Sequence, residues 1–310
     1  VTGCGKAKSV VENGYPVYGE SSSVNVLSGA EDTVSSYFGT NLCVGGTENI
    51  GQESVEHNSV AEAAGVFNTA TNTITYAQNI YERMYPASTT KILTAYLAIK
   101  YGNLSDVVTI SDNAVNLASD SSKCGLQAGD QMTLQDLLYG LMLRSGNDAA
   151  IAIAEHISGS VEAFVDLMNQ EAQQLGATGS HFMNPNGLPD ENHYTTVYDL
   201  YLIFQKALQD ETFYQLISTS SYTTNYTAAD GSAKTQDWSS TNQYKTGESK
   251  LPDGFTLVGG KTGTTGDAGF CLVLLTDNAG GQPVISIVLK ADCKSNLYLM
   301  MNEILAGCGN

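Results

Sequence analysis

Positive charge is scarce in this chain: 14 Lys and Arg face 32 Asp and Glu, a formal net charge of -18 over 310 residues. So acidic a surface repels nucleic acid and anionic lipid, and an anionic ligand needs a local cationic pocket. Long apolar runs are missing as well. None approaches the roughly 18 residues of a membrane-spanning helix, and no charged-then-apolar leader stands at the start. The six cysteines (Cys4, Cys43, Cys124, Cys271, Cys293 and Cys308) form no C-x-x-C pair, which argues against a zinc ribbon or a thioredoxin-type centre. Four histidines, at 57, 156, 181 and 193, show no H-E-x-x-H spacing, and no G-x-S-x-G string is present for a Ser-His-Asp hydrolase. His156 and His193 are read as structural. Gly254 to Thr262 comes near a phosphate-binding loop, but its first glycine is one residue too early and a strand-like run follows, so ATP is not expected. Neither a metal nor an organic cofactor is expected.

An apolar content of 42% is enough for a substantial core, in one large domain or two small ones. Residues 1 to 58 are rich in Gly, Ser, Asn and Glu and keep no period of 2 or 3.6, which reads as an N-terminal tether ahead of a domain at 59 to 310. Val1-Thr2-Gly3-Cys4 resembles a bacterial lipobox, in which the cysteine carries lipid. The alternative is a free or disulfide-bonded thiol, and lipidation would leave five cysteines, too few for a full disulfide framework. Ala64-Gly65-Val66-Phe67, a turn region at 68 to 72 and Thr73-Ile74-Thr75-Tyr76 suggest a β-hairpin. Helical signals follow. Thr133 and Asp136 form a capping box ahead of Leu134, Leu137, Leu138 and Leu141, Ala149 to Ile157 continues as a second apolar helix, and Thr196 and Asp199 form another box. Strand character returns at Phe255 to Val258, Gly269 to Leu275 and Val284 to Leu289, before a last helix from about Ser295 to Leu305. Strands at both ends with helices between them indicate an α+β fold, an antiparallel sheet closed by its N- and C-terminal strands around an inserted helical region. Ser218 to Leu251 is polar and turn-rich and reads as irregular hairpins or loops.

Three short strings carry the chemistry: Ser88-Thr89-Thr90-Lys91, Ser145-Gly146-Asn147 and Lys261-Thr262-Gly263. Pro86 precedes a helix that starts at Ser88, carries Ile92, Leu93, Tyr96, Leu97 and Ile99, and ends at Gly102. Residues three apart share a helix face, so the Lys91 amine reaches the Ser88 hydroxyl. A hydroxyl attacks well only when its proton is taken, and an ammonium cannot take it. Lys91 must therefore be neutral in the reactive state, which desolvation and a second cation at Lys261 favour. Ser145 and Asn147 sit between two apolar helices, where a short turn aims a hydroxyl and a carboxamide into a cleft. K-T-G occurs twice. Lys245-Thr246-Gly247 lies in a polar stretch and reads as a solvated loop, whereas Lys261-Thr262-Gly263 precedes an apolar strand and reads as a strand edge able to bind an extended peptide. There Lys261, Thr262 and Thr264 would recognise a substrate carboxylate, and the N–H groups of Ser88 and Thr264 would form an oxyanion hole.

With these strings, Pro86 to Thr94, Leu137 to Ile157, Phe182 to His193 and Gly259 to Leu275 resemble the serine D-alanyl-D-alanine carboxypeptidases, the low-molecular-mass penicillin-binding proteins. The likeness covers about residues 60 to 306. It implies a five-stranded antiparallel sheet packed by helices, Ser88 as nucleophile, and Lys91 as general base. It makes Ser145 and Asn147 the proton-relay and binding pair, and Lys261, Thr262, Gly263 and Thr264 the carboxylate and oxyanion site. It also implies a peptidoglycan stem peptide ending in D-Ala-D-Ala as substrate, β-lactams as covalent inhibitors, and an extracytoplasmic place in the cell envelope. Many members carry a further β domain and an amphipathic anchor after the catalytic domain; a lipid on Cys4 with residues 5 to 58 as spacer would replace that anchor here. Thr264 stands where the family often has a larger residue such as His. A class A β-lactamase shares the three strings but needs a glutamate in an E-x-x-L-N setting, and no such string exists. A D,D-endopeptidase would use the same machinery, and a non-enzymatic surface lipoprotein with this fold is the alternative from another class.

Overall fold

Alternating apolar residues at the two ends of the domain come together in one sheet. The computed structural model describes residues 41–309. Ala61–Asn68 (β1) and Thr73–Gln78 (β2) form the expected hairpin, and the Asn68 side chain turns it by accepting the N–H groups of Ala70 and Thr71 at 3.1 Å. The inserted region starts with Lys91–Tyr101 (α1), stopped by Gly102, then Val107–Thr109 (β3), Asp112–Val115 (α2) and Gln131–Thr133 (β4). Leu134–Leu143 (α3) carries the expected capping box, Thr133 Oγ1 accepting the Asp136 N–H at 3.1 Å and Asp136 returning the bond to the Thr133 N–H. Asn147–Ser158 (α4), Val161–Gln174 (α5), Val197–Ala207 (α6) and Glu211–Ser218 (α7) complete the main helices. Ser221–Thr227 (β5), Ala233–Ser239 (β6) and the short Gln243–Thr246 (α8) lead to Thr256–Thr265 (β7), Gly269–Asp277 (β8), Pro283–Ala291 (β9) and Lys294–Cys308 (α9).

The main sheet has five antiparallel strands in the order β2-β1-β9-β8-β7, as expected for an α+β chain closed by its ends. Side chains alternate across it. Val273, Leu275, Ile285 and Ile287 face the helical core, while Leu272, Leu274, Val284 and Val288 pack with Met300, Met301 and Ile304 of α9. Each such side chain contributes ~1.5–3 kcal/mol by leaving water. Burial on both faces therefore fixes register, because a one-residue slip would exchange the two sets. Strand β7 is left at the edge, with one row of backbone groups unpaired within the sheet.

Three segments differ from their sequence expectation. Ser218 to Leu251 is not irregular: β5 and β6 pair over seven positions, from Ser221↔Ser239 to Thr227↔Ala233, and join β3 and β4 in a second, four-stranded sheet. Its outer face is solvated threonine, asparagine and aspartate, so the apolar alternation is thin. Residues 41–58, read as part of a tether, pack on the domain. Cys43 is buried, its N–H donating to the Tyr201 hydroxyl at 2.8 Å, and Ile50 exchanges backbone bonds with Ala77 of β2. Scattered anchors hold this stretch, which is why it has no period. Lys245, read as solvated, donates through Nζ to the carbonyls of Ile217 and Thr219 at the end of α7. Cys4 lies outside the described residues; the other five cysteines are free thiols. Among the described residues no helix is long and apolar enough to cross a membrane.

Candidate active site

Ser88 lies in a short 3-10 helix, Ala87–Thr90, that precedes α1 rather than in α1 itself. The tight turn is secured by two threonine hydroxyls, Thr89 Oγ1 donating to the Pro86 carbonyl at 2.7 Å and Thr90 Oγ1 to the Ala87 carbonyl at 2.8 Å. Ala87 has φ 47°, a left-handed conformation that costs a non-glycine residue on the order of 1 kcal/mol or more. Neighbours hold it there. Gly187, itself at φ 85°, lies so close that a Cβ would fall 1.8 Å from the Ala87 carbonyl oxygen, and a Cβ on Gly263 of β7 would fall 3.0 Å from the Ser88 nitrogen. Only glycine lets these two backbones reach the serine.

Lys91 is fully buried in the first turn of α1. Its Nζ lies 3.0 Å from Ser88 Oγ, 2.7 Å from Asn147 Oδ1 and 2.5 Å from the Asn186 carbonyl oxygen. Burial, and then the charge of Lys261, hold its pKa well below that of a free lysine. A neutral amine has two N–H groups and one lone pair. The two oxygens of Asn147 and Asn186 can only accept, so in the neutral form they take the N–H groups and the lone pair is left for Ser88, whereas in the ammonium form Nζ donates to Ser88 Oγ as well.

Ser145 lies in the turn between α3 and α4 and Asn147 opens α4, both buried, with Ser145 at φ 57°. The hydrogen bond that the Ser145 hydroxyl makes is to Lys261, whose Nζ lies 2.9 Å away and also donates to the Thr262 carbonyl at 2.7 Å. Lys261 is 1% exposed, and burial lowers its pKa to about 7. The three strings thus meet, and with a division of labour that their spacing did not indicate. Thr262, Gly263 and Thr264 line a cleft of about 190 Å³ with Ser88 and Ser145, whereas the Lys261 ammonium points inward and is not among its walls.

Several wall residues have no mark in the sequence reading. Ser122, Thr241 and Lys294 line the same cleft, and Thr241 Oγ1 lies 2.6 Å from Thr262 Oγ1. Lys294, exposed at the first turn of α9, supplies a cation at the mouth. The Asn186 carbonyl and Gly187 belong to Asn184-Pro185-Asn186-Gly187, whose Pro and Gly mark a turn but not its partner. His193 is structural as expected, 2.8 Å from Thr90 Oγ1, with burial lowering its pKa to about 4. A larger cavity of about 550 Å³ beside Tyr96, Lys100 and Glu171 contains no serine or cysteine nucleophile, and Lys100 and two tyrosines already satisfy its buried Glu171 carboxylate. Among the described residues Glu56, His57 and Glu303 are the one group with metal-type donors within 4.8 Å of one another, and it is no part of the cleft.

A five-stranded antiparallel sheet whose edge strand faces a serine–lysine pair, roofed by inserted helices, defines the class as a DD-transpeptidase-like fold. Residues 50–293 match the D-alanyl-D-alanine carboxypeptidase family, and the chain belongs to that family. It is 34% identical over 265 residues to the D-alanyl-D-alanine carboxypeptidase DacF of Bacillus subtilis, covering 82% of this chain and 64% of that one. It is 35% identical over 247 residues to the D-alanyl-D-alanine carboxypeptidase of Streptomyces sp. strain K15, covering 75% and 82%. The crystal structure of the Streptomyces K15 DD-transpeptidase superposes with a TM-score of 0.72 at 32% identity, over 80% of this chain and 97% of that one. The chain spans 52% of a further relative, the carboxypeptidase DacA of Haemophilus influenzae.

Proposed function

We propose that this chain is a serine D-Ala-D-Ala carboxypeptidase acting on peptidoglycan stem peptides, and that β-lactams acylate the same serine. The observation that carries the reading is the partner set of Lys91: two oxygens that only accept, and one serine that can give a proton. In acylation the Ser88 proton passes to Lys91 as Oγ bonds to the penultimate D-Ala carbonyl carbon. The N–H groups of Ser88 and Thr264 hold the oxyanion, where such donors act most strongly on the charge that develops. The C–N bond then breaks, and the departing nitrogen takes a proton from Ser145, which Lys261 at 2.9 Å resupplies. D-Ala leaves at this point as the free amino acid, and Lys91 loses to solvent the proton it took while Lys261 regains the one it gave. Water then gives a proton to Lys91 as its oxygen bonds to the ester carbonyl carbon, the C–Oγ bond breaks, Ser88 Oγ takes that proton back from Lys91, and the shortened peptide leaves. The substrate's terminal carboxylate sits against the hydroxyls of Thr262 and Thr264, with Lys294 as the nearby cation.

The test is D-Ala release from a pentapeptide ending in D-Ala-D-Ala. Purified protein should release it, and Ser88→Ala should abolish both release and labelling by a fluorescent penicillin; undiminished labelling of that variant would remove Ser88 from the mechanism. Likeness to a DD-transpeptidase supports a second outcome from the same acyl-enzyme, transfer to an amine in place of water. Adding glycine as acceptor and weighing the products separates the two. A substrate of this kind places the protein outside the cytoplasm, at the cell envelope. Attachment by a lipid on Cys4 rests on Val1 to Cys4 alone, and the mass of the membrane-extracted protein tests it.

A further inference from the structure

Ser145 holds a left-handed φ of 57° at the point where a proton must be delivered, and such a conformation persists only if its surroundings impose it. The loop from Ser122 to Leu126 supplies those surroundings. The Asn147 N–H donates to the Ser122 carbonyl at 2.9 Å, and the buried Cys124 thiol fills the space over Gly146, where a Cβ would fall 2.3 Å from its sulfur. What holds the loop is a carboxylate. Asp148, 1% exposed in the first turn of α4, accepts the N–H groups of Cys124 at 2.9 Å, Gly125 at 3.0 Å and Leu126 at 3.2 Å, as well as that of Ala149 at 2.9 Å. Three successive amides converging on one anion form a nest that the protein fills from within.

We propose that Asp148 is a positioning residue for the acylation step: its carboxylate locks the Ser122–Leu126 loop over the Ser145–Asn147 turn and so keeps the Ser145 hydroxyl aimed at the departing nitrogen. Asp148 touches neither Ser88 nor the cleft; its contacts are with the loop, and its charge reaches Lys91 only as a minor influence that raises the amine's pKa, behind burial and Lys261. The inference rests on the carboxypeptidase reading for the step it serves, while the loop contact itself does not.

A positioning role through Ser145 has a signature that general weakening lacks. An amide's leaving nitrogen must be protonated as the C–N bond breaks, whereas a thioester's leaving thiolate needs no proton. In Asp148→Asn an NH2 group meets amides that are themselves donors, and one acceptor oxygen is lost. The variant's acylation rate on an acyl-D-Ala-D-Ala peptide should fall roughly 10- to 100-fold, the loss of a charge-assisted contact, with little change on the thioester of the same acyl group. Ser145→Ala should show the same bias, and the double variant should be no worse than Ser145→Ala alone, since both changes remove one function. Asp148→Glu, which keeps the charge but displaces it by one methylene, should show the bias more weakly, and it serves if Asp148→Asn does not fold. Amide hydrogen exchange at residues 124–126 should quicken in either variant. Equal losses on amide and thioester, or unchanged exchange at 124–126, overturn the proposal. Wild-type protein inert towards both substrates and penicillin would instead overturn the carboxypeptidase reading, with the exchange measurement still deciding the loop contact.

Discussion

The tripeptide Lys-Thr-Gly occurs at 245–247 and again at 261–263, and the two copies have different work. In the first, Lys245 belongs to the short helix α8, Gly247 turns the chain at φ 81°, and Nζ caps the last carbonyls of α7. In the second, the residues lie on edge strand β7, where period-2 alternation sends Lys261 inward to Ser145 and Thr262 to the cleft. Both amines are depressed by burial, to about 8 and about 7. Burial of a lysine is therefore not the mark of a site. What differs is the partner: two carbonyls that cannot relay a proton, against a hydroxyl that can.

Exchanging or deleting the cations tests that difference, beginning with the one both copies leave in place. Lys91→Arg should cost the most, a loss of roughly 10²–10⁴-fold in kcat/KM, because a guanidinium cannot accept a proton near neutral pH. Near-normal turnover of that variant would take Lys91 out of the mechanism. Lys261→Ala should lower kcat on the amide substrate by roughly 10²-fold, the scale of a lost proton-transfer partner, with no fall in melting temperature, since a buried charge goes with it. Lys261→Arg should move the pH profile. Acylation needs Lys91 neutral, which rising pH favours, and Lys261 charged, which is lost as pH rises through about 7. A bell follows, its limbs belonging to the coupled pair, and an arginine that stays charged should shift the descending limb to higher pH. An unmoved limb would mean that the Lys261 charge does not govern it. Lys245→Ala should change kcat/KM least, by less than about twofold, while lowering stability by ~1 kcal/mol through the lost cap of α7. Thermal unfolding beside peptide kinetics reads both, and the reverse ranking of the two lysines would show that the copies had been confused.

What could be read from the chain in advance was what neighbouring residues decide among themselves. The hairpin at 61–78, the Thr133 capping box and the i, i+3 pairing of Ser88 with Lys91 are local, and the structure has each of them. Contacts made by backbone across long separations were not legible. The third partner of Lys91 is a carbonyl 95 positions away, and a carbonyl has no letter in a sequence. Lys294 and Ser122 reach the cleft by the packing of α9 and of a loop, which no periodicity reports. The β5–β6 hairpin did leave a trace, Tyr222, Thr224 and Tyr226 at alternate positions, but polar residues between them hid a strand whose ring of Tyr222 stacks 3.8 Å from Tyr139. Inward-facing Lys261 carries a further lesson. Its place at a strand edge suggested a group for a carboxylate, and the facing of β7 turns its buried amine to Ser145, 2.9 Å away.

The account stands on one oxygen, that of Ser88, beside a buried amine whose pKa is held low, in a chain with no E-x-x-L-N glutamate to drive rapid deacylation of a bulky adduct. Intact-mass measurement after mixing with benzylpenicillin, followed by peptide mapping, tests this most directly. The account predicts a one-to-one adduct on the peptide containing Ser88, persisting for minutes or longer, and absent from Ser88→Ala. An adduct on another residue, or its rapid loss with many penicillin molecules hydrolysed per protein, would contradict it.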